Sequence, residues 1–242
     1  MSSHAFHQSD SLSRRVARPA VSPVRANRAV PRWAIATAAL SPVLGTGGYL
    51  IADTLQPASY SPIRDTVSVL AGEAGTDRWV MTGALFLVAG CYFLTAAGLA
   101  GIRRSARILL IVSGVAVIGI ATSPEPTSGP TPRHLAWTVL GAVAIAAWPA
   151  FVARRGSPRS LILSVRGSVA VTVVFVALFG WFLAEAQGGG MVGLAERLTT
   201  SVEASWPFVV ALAMRRGRPR TVPAWGTNQP YTPRPREGYA LD

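Results

Sequence analysis

Nine polar residues have types and spacings that could support chemistry, and they fall into three groups along the chain. Asp65 and Ser68 are three positions apart, and a carboxylate beside a hydroxyl can orient a nucleophile or bind a polar head group. His134 is the only histidine outside the N-terminal tail, and an imidazole can act as a general base or a metal ligand. The candidate site residues are Asp53, Arg64, Asp65, Ser68, Glu125, His134, Glu196, Arg197 and Glu203.

Each group also has an ordinary structural explanation. Asp65 in a first helical turn favours the helix dipole, and Arg64 can pair with an acid elsewhere. We therefore expect this group to act first as a polar latch between a short helix and the rest of the protein. Glu196 and Arg197 are expected to form a buried ion pair or to line a cavity, and Glu203 shares the face of Glu196 because it lies seven residues further along.

The elements that must position these residues are membrane-spanning helices. Half of the 242 residues are hydrophobic and only 14% are charged, against about 25% in a soluble domain. The charges are crowded between uncharged runs of about 17–20 residues, the length that crosses a hydrocarbon core of roughly 30 Å. The sequence therefore predicts an all-α, polytopic bundle of six transmembrane helices.

The predicted spans are separated by turn and cap residues. Pro42 should kink the first span, and Gly45, Gly47 and Gly48 should let a neighbouring helix approach closely. Thr131 with Pro132 should start the fourth span, because a threonine cap followed by proline suits a first helical turn. The predicted spans are 33–55, 79–99, 108–122, 133–153, a fifth that follows a start signal at 157–158 and ends near 185, and a sixth that ends near 214.

Residues 60–72 between the first two spans predict a short amphipathic helix at the outer membrane surface. Ser61 is a suitable N-cap and Pro62 a suitable first residue. Ile63, Val67 and Leu70 recur at helical spacing and should share one face. Gly72 should end this helix.

The positions of the arginines predict the topology. All 23 basic residues are arginine, which suggests a GC-rich bacterial genome. Nineteen of them fall in tails and loops on one side if both termini are cytoplasmic, and basic residues concentrate on the cytoplasmic side of membrane proteins. We therefore expect a multi-pass protein of the inner (plasma) membrane. Residues 1–31 and 216–242 should be disordered basic cytoplasmic tails around a transmembrane domain at 32–215.

Several functions are disfavoured by what the sequence lacks. The net charge of +12 follows membrane topology and does not indicate nucleic-acid binding. The single cysteine, Cys91, lies in an apolar run and is expected to be a packing residue. No phosphate-binding glycine loop, G-x-S-x-G elbow, H-E-x-x-H or C-x-x-C motif is present. We expect no cofactor and no metal, and we expect the lipid bilayer to be a partner.

Four stretches of the chain resemble a known family. Residues Tyr60–Ala71 and Gly83–Gly90 are similar to the first outer loop and second helix of prokaryotic membrane proteins called domain of unknown function 998. The turn before the helix that holds His134, and the run Gly193–Arg197, are similar to later parts of that pattern. The resemblance implies a six-span integral membrane protein. It implies no reaction, so no catalytic residue is carried over.

Three functions follow from these patterns. The first is a non-enzymatic bundle whose outer polar pocket binds a lipid, a small ligand or a partner protein. The second is an outer-face hydrolase that uses Asp65, His134 and an acid such as Glu125 or Glu203, which requires these side chains to converge. The third is a small-solute transporter, which requires a cavity that reaches the middle of the membrane near Pro42.

Overall fold

The protein folds into seven α-helices in the regions described by its structure, a computed structural model that covers residues 29–153 and 160–216. The helices are α1 (Arg32–Thr54), α2 (Val67–Ala71), α3 (Trp79–Gly98), α4 (Arg104–Ala121), α5 (Pro132–Val152), α6 (Val165–Glu185) and α7 (Val192–Arg216). Nearly all of the two predicted tails, and Arg154, Arg155 and Arg159 of the predicted basic loop, lie outside the described residues.

Five of the helices, α1, α3, α4, α5 and α6, are long and apolar enough to cross a membrane. Their outward surfaces carry large hydrophobic side chains such as Ile51, Leu87 and Val173, each more than half exposed. A water-soluble protein rarely exposes so continuous an apolar surface, whereas lipid tails solvate it without cost. The prediction of an all-helical membrane protein is therefore confirmed. The seventh helix is 25 residues long but carries three ionisable residues in its first half.

The six long helices form a closed ring in the order α1, α3, α4, α5, α6, α7, with α7 packed back against α1. The short α2 packs on α1, α3 and α7 at one end of this ring, which we call the α2 end. At the opposite end, the start of α1 and the last turns of α7 share one hydrophobic cluster. Both described ends of the chain therefore lie on the same side.

That hydrophobic cluster fills the ring opposite α2. Trp148 and Leu110 are completely buried there, and Val210 is 1% exposed. In contrast, α6 buries only Ser168 and Phe175, so it lies at the edge of the bundle. The packing is therefore dense at one end of the ring and on the side of α1, α3 and α4.

The predicted helix from Ser61 is wrong in its first half. The Asp65 carboxylate accepts the Ser61 N–H at 2.7 Å, and the Asp65 N–H donates to the Ser61 carbonyl at 2.7 Å, which closes a tight turn. Thr66 is extended, and α2 starts only at Val67. Ile63 is therefore 52% exposed while Val67 and Leu70 are buried, and the three side chains share no face.

Two other predicted helix starts need correction. The third span begins at Arg104 and not at residue 108, and Arg107 inside it donates from Nε to the carbonyl of Ala96 at 2.7 Å. The fifth begins at Val165, because Ser164 caps it by accepting the Gly167 N–H at 3.0 Å. The cap predicted for the fourth span is confirmed, since Thr131 accepts the His134 N–H at 3.2 Å.

The close approach of α1 to α3 depends on individual glycines. A Cβ atom built on Gly48 would lie 2.4 Å from the Ala84 Cβ, whereas one on Gly47 would meet nothing within 4 Å. Of the three glycines predicted to allow close packing, Gly48 makes the tight contact, and Gly45 makes an ordinary one with Val88 at 3.6 Å.

These two adjacent glycines provide a matched test. Gly48→Ala should destabilise the protein by about 1–3 kcal/mol, because the added methyl forces α1 and α3 apart. Gly47→Ala should be neutral or slightly stabilising, since it gains helix propensity without a clash. Thermal unfolding in lipid nanodiscs measures both. Equal melting temperatures for the two variants would contradict the α1–α3 contact.

Candidate functional site

A cavity of about 170 Å³ lies inside the ring of helices. Each of the seven helices contributes to its wall, which is mainly apolar. It extends from Val67 and Ser68 at the α2 end to Ser41 and Pro42, halfway along α1. The cavity therefore joins the polar cluster around α2 to the centre of the bundle.

Two carboxyl groups from α7 line the cavity at different depths. Glu196 lies beside α2, and Glu203 lies two helical turns further along the same face. Glu203 is 5% exposed, and its Oε1 has no hydrogen-bond partner in the described part of the chain. The hydroxyl of Ser41, also in the wall, is completely buried beside the Tyr92 hydroxyl. Buried polar atoms are nearly always hydrogen-bonded, so Glu203 Oε1 is unusual among the described residues, as are Arg197 Nε and the Ser123 hydroxyl at the α2 end.

Arg197 organises the α2 end beside the cavity. Its guanidinium lies 2.7 Å from the Asp53 carboxylate of α1, and it also donates to the hydroxyl of Tyr60. It further faces the carbonyls of Pro62 at 2.7 Å and Asp65 at 2.9 Å. We call this set of contacts the Arg197 cluster. It fixes the 60–65 turn between α1 and α7.

Tyr60 holds Asp53 from the other side. Its hydroxyl donates to Asp53 Oδ1 at 2.7 Å. Burial, together with this hydrogen bond to a carboxylate, raises the pKa of Tyr60 well above its ordinary value. The phenol therefore keeps its proton throughout the physiological range, and the Arg197 cluster carries one positive and one negative charge.

Glu196 binds the other half of the same stretch. Its Oε2 accepts the N–H of Val67, the first residue of α2, at 2.6 Å, and its Oε1 lies 3.3 Å from the Ser68 hydroxyl. The expected ion pair between Glu196 and Arg197 is therefore wrong, and Arg197 pairs with Asp53 instead. The reason is geometric, because consecutive helical residues point about 100° apart. Adjacent residues on α7 therefore bind different segments. Arg197 binds the 60–65 turn, and Glu196 binds the start of α2.

His134 completes a hydrogen-bonded chain with Ser68 and Glu196. Its Nε2 lies 3.1 Å from the Ser68 hydroxyl, and its Nδ1 lies 2.8 Å from the carbonyl of Ser123. A carbonyl can only accept, so Nδ1 must carry a hydrogen. The single Ser68 hydrogen can serve either Nε2 or Glu196. The chain is fully bonded only when one further proton resides on Glu196 or on His134.

Glu125 lies next to this chain in the loop between α4 and α5. Its carbonyl accepts the Glu73 N–H at 2.8 Å, which ties this loop to the end of α2. Its half-buried carboxyl has a raised pKa because burial disfavours the charged form, an effect that nearby His134 partly offsets. Gly72 is needed here for space, since a Cβ atom would lie 2.7 Å from the Glu125 carbonyl oxygen.

The nine predicted residues therefore divide by position. Ser68, Glu196 and Glu203 line the cavity, and His134 is joined to it through Ser68. Asp53 and Arg197 form the ion pair beside it. Asp65 closes its own turn and makes no hydrogen bond with His134, and Arg64 is exposed and forms no ion pair within the described residues. Glu125 lies outside the lining of the cavity, in the loop that is bonded to Glu73 after α2.

Sequence reasoning missed Tyr60, Ser41 and the backbone acceptors of Arg197. Tyr60 immediately precedes the predicted cap Ser61, and Ser41 immediately precedes the kink residue Pro42. A polar residue beside a predicted kink is a usable signal, because a kink frees backbone and side-chain groups inside a helix. The carbonyls of Pro62 and Asp65 have no sequence signal, since every residue has a carbonyl.

The Ser68–His134 pair has the separation of a nucleophile and its base. However, Glu196 already occupies both the Ser68 hydroxyl and the Val67 N–H, the two groups that an incoming carbonyl substrate would approach. His134 is oriented by a carbonyl and not by a carboxylate. These hydrogen bonds therefore fit a structural link between α2, α5 and α7 better than they fit an activated serine.

Removing the charge of Arg197 should strongly destabilise the fold. Arg197→Met leaves Asp53 buried without its partner and exposes the 60–65 carbonyls to an apolar side chain, a change that costs about 3–5 kcal/mol. Arg64→Met is the matched control and should change stability little, because Arg64 is exposed. The double variant Asp53→Asn with Arg197→Met should recover part of the loss. Thermal unfolding in nanodiscs that ranks Arg64→Met equal to Arg197→Met would contradict the role of the Arg197 cluster.

Comparison with known proteins identifies one family. A family model described as protein of unknown function (DUF998) matches residues 38–213, more than half of the chain. No curated protein and no solved structure matches the chain. The match covers α2, the Arg197 cluster, the cavity and most of α1 and α7. The resemblance seen in the sequence is confirmed, and the chain belongs to the DUF998 family of proteins of unknown function.

Proposed function

We propose that this protein is a six-span membrane protein whose central cavity binds a small or lipid-like ligand that enters from the outer face, without catalysing a reaction. The observation that carries the proposal is the cavity itself, which is walled by all seven described helices and has at its deep end a carboxyl oxygen, Glu203 Oε1, without a hydrogen-bond partner among the described residues. Ligand sites in helical bundles have this form, with a mainly apolar wall and a few convergent polar groups.

The sixth span in this proposal is α7. Its 25 residues extend about 37 Å at 1.5 Å per residue. Arg197 and Glu203 are buried inside the bundle, while Leu198 and Val202 are exposed on the opposite side. Ionisable side chains of membrane-spanning helices face the bundle interior, because hydrocarbon cannot solvate them. The low hydropathy of α7 is therefore compatible with a transmembrane position.

The distribution of charge supports the orientation. Arg103 precedes α4, and Arg104 and Arg107 lie in its first turn, at the end opposite α2, where Arg215 and Arg216 also end α7. The α2 end carries most of the acids. By the preference of basic loops for the cytoplasm, α2 should lie outside, with both tails in the cytoplasm of the cell.

Cysteine labelling tests this orientation. Cys91, the only native cysteine, is buried and should react poorly. In intact cells, Ala58→Cys, in the loop between α1 and α2, should react with a membrane-impermeant maleimide. Arg103→Cys should react only after the membrane is permeabilised. The reverse pattern would invert the proposed topology.

Transport is the second candidate, because the cavity reaches the kink residue Pro42, as a transporter requires. Both candidates need a ligand in the cavity and differ in whether it crosses the membrane. Counterflow of a bound ligand in proteoliposomes separates them, since a binding protein without transport gives no accumulation.

The cavity itself is tested with benzyl alcohol, a small neutral aromatic probe. In nanodiscs of zwitterionic phosphatidylcholine, it should bind saturably to the protein and raise its melting temperature. Ala204→Phe, which fills the cavity wall, should abolish saturable binding. Ala177→Phe adds the same ring to the exposed face of α6 and is the matched control. Binding that is equal in both variants, or identical to that of empty nanodiscs, would contradict a ligand-binding cavity.

A further inference from the structure

We infer that the cavity is a site for a small organic cation, a protonated amine with a compact apolar body whose ammonium group lies beside Glu203. This inference rests on the proposed function and adds the chemical class of the ligand. It is carried by three independent features of the wall: its charge, its aromatic rings and its size.

The charged residue types in the wall are all acidic. Glu196 and Glu203 line the cavity, and none of the described lining residues is arginine, lysine or histidine. Glu196 is already bonded through both oxygens to Val67 and Ser68. Glu203 is 5% exposed and has Oε1 free of hydrogen bonds within the described chain.

A carboxylate in such a place lacks the partner that normally stabilises it. An ammonium group supplies both the opposite charge and the hydrogen-bond donors, whereas an anion would be repelled. The Ser41 hydroxyl, beside Tyr92 in the same wall, offers a second acceptor. The polar end of the cavity thus presents acceptors to a donor-rich, positively charged group.

Aromatic rings provide the second feature. Tyr92, Phe179 and Phe182 line the same cavity as Glu203. The faces of aromatic rings attract organic cations, and the attraction is strongest where water is excluded. Rings grouped with one carboxylate are therefore suited to an ammonium ion with attached carbon groups. A bare metal ion would need more oxygen ligands, and no group of three or more His, Cys, Asp or Glu residues able to hold one exists in the described regions.

The volume sets the size of the ligand. The cavity measures about 170 Å³, and an apolar cavity of roughly 150 Å³ accommodates benzene. One ring, or an aliphatic group of similar size, with a short amine therefore fits. A complete phospholipid does not fit in this space.

Three probes of nearly equal size test the inference. Benzylamine is cationic at neutral pH, benzyl alcohol is neutral and benzoate is anionic. Binding of each to the unmodified protein in phosphatidylcholine nanodiscs is measured by calorimetry, with empty nanodiscs subtracted. Benzylamine should bind at least tenfold more tightly than benzyl alcohol, and benzoate should not bind.

The variant Glu203→Gln then removes the charge while keeping the shape. It should lose the tenfold preference for benzylamine and retain benzyl alcohol. Glu73→Gln, at an exposed position outside the cavity, should behave like the unmodified protein. Equal affinity for benzylamine and benzyl alcohol in the unmodified protein would overturn the cation site and leave the proposed cavity intact. Absence of binding by all three probes would overturn the proposed function as well.

Discussion

The buried ion pair between Arg197 and Asp53 is the interaction on which the α2 end of this protein depends. A guanidinium out of water is tolerated only when most of its hydrogens are used, and here a carboxylate, a phenol and two loop carbonyls accept those of the terminal nitrogens. Those acceptors come from α1 and from the turn at residues 60–65, so one side chain of α7 joins both to its own helix. The next residue, Glu196, then caps α2 through the Val67 N–H. These contacts hold in place the part of the cavity wall next to α2, formed by Val67, Ser68 and Glu196.

Polar groups at the two levels of the cavity have different partners. Near α2, Ser68, His134 and Glu196 form one continuous chain of hydrogen bonds, although Arg197 Nε and the Ser123 hydroxyl lack a partner among the described residues. At the level of Pro42, Glu203 is buried and its Oε1 has no hydrogen-bond partner in the described part of the chain. An unpaired buried carboxyl group is costly. The hydrogen bonds at the α2 end therefore hold helices together, and Glu203 is the group beside which we propose that a ligand binds.

The sequence predicted the fold because membrane solvation imposes lengths and patterns that can be read directly. The five apolar spans, the Thr131 cap and the family all follow from local residue types. The prediction failed at residues 61–65 because the Asp65 carboxylate accepts the backbone N–H of Ser61 within its own turn. The same carboxylate would also be favourable in the first turn of a helix, so the residue type does not distinguish the two structures. The partner of Arg197 was missed because Asp53 is 144 positions away, and only the closure of the ring brings α1 and α7 together. The cavity depends on seven helices at once and has no local signal beyond the spacing of Glu196 and Glu203.

The most direct test of a cation site in the centre of the bundle is to locate the ligand. Crystals grown in a lipidic phase with 4-bromobenzylamine would give anomalous scattering from bromine. We predict one strong peak inside the ring between Tyr92 and Phe179, with the amine directed to Glu203, and loss of that peak in Glu203→Gln. Bromine found only on the lipid-facing surface, or a cavity filled by repacked side chains, would contradict it.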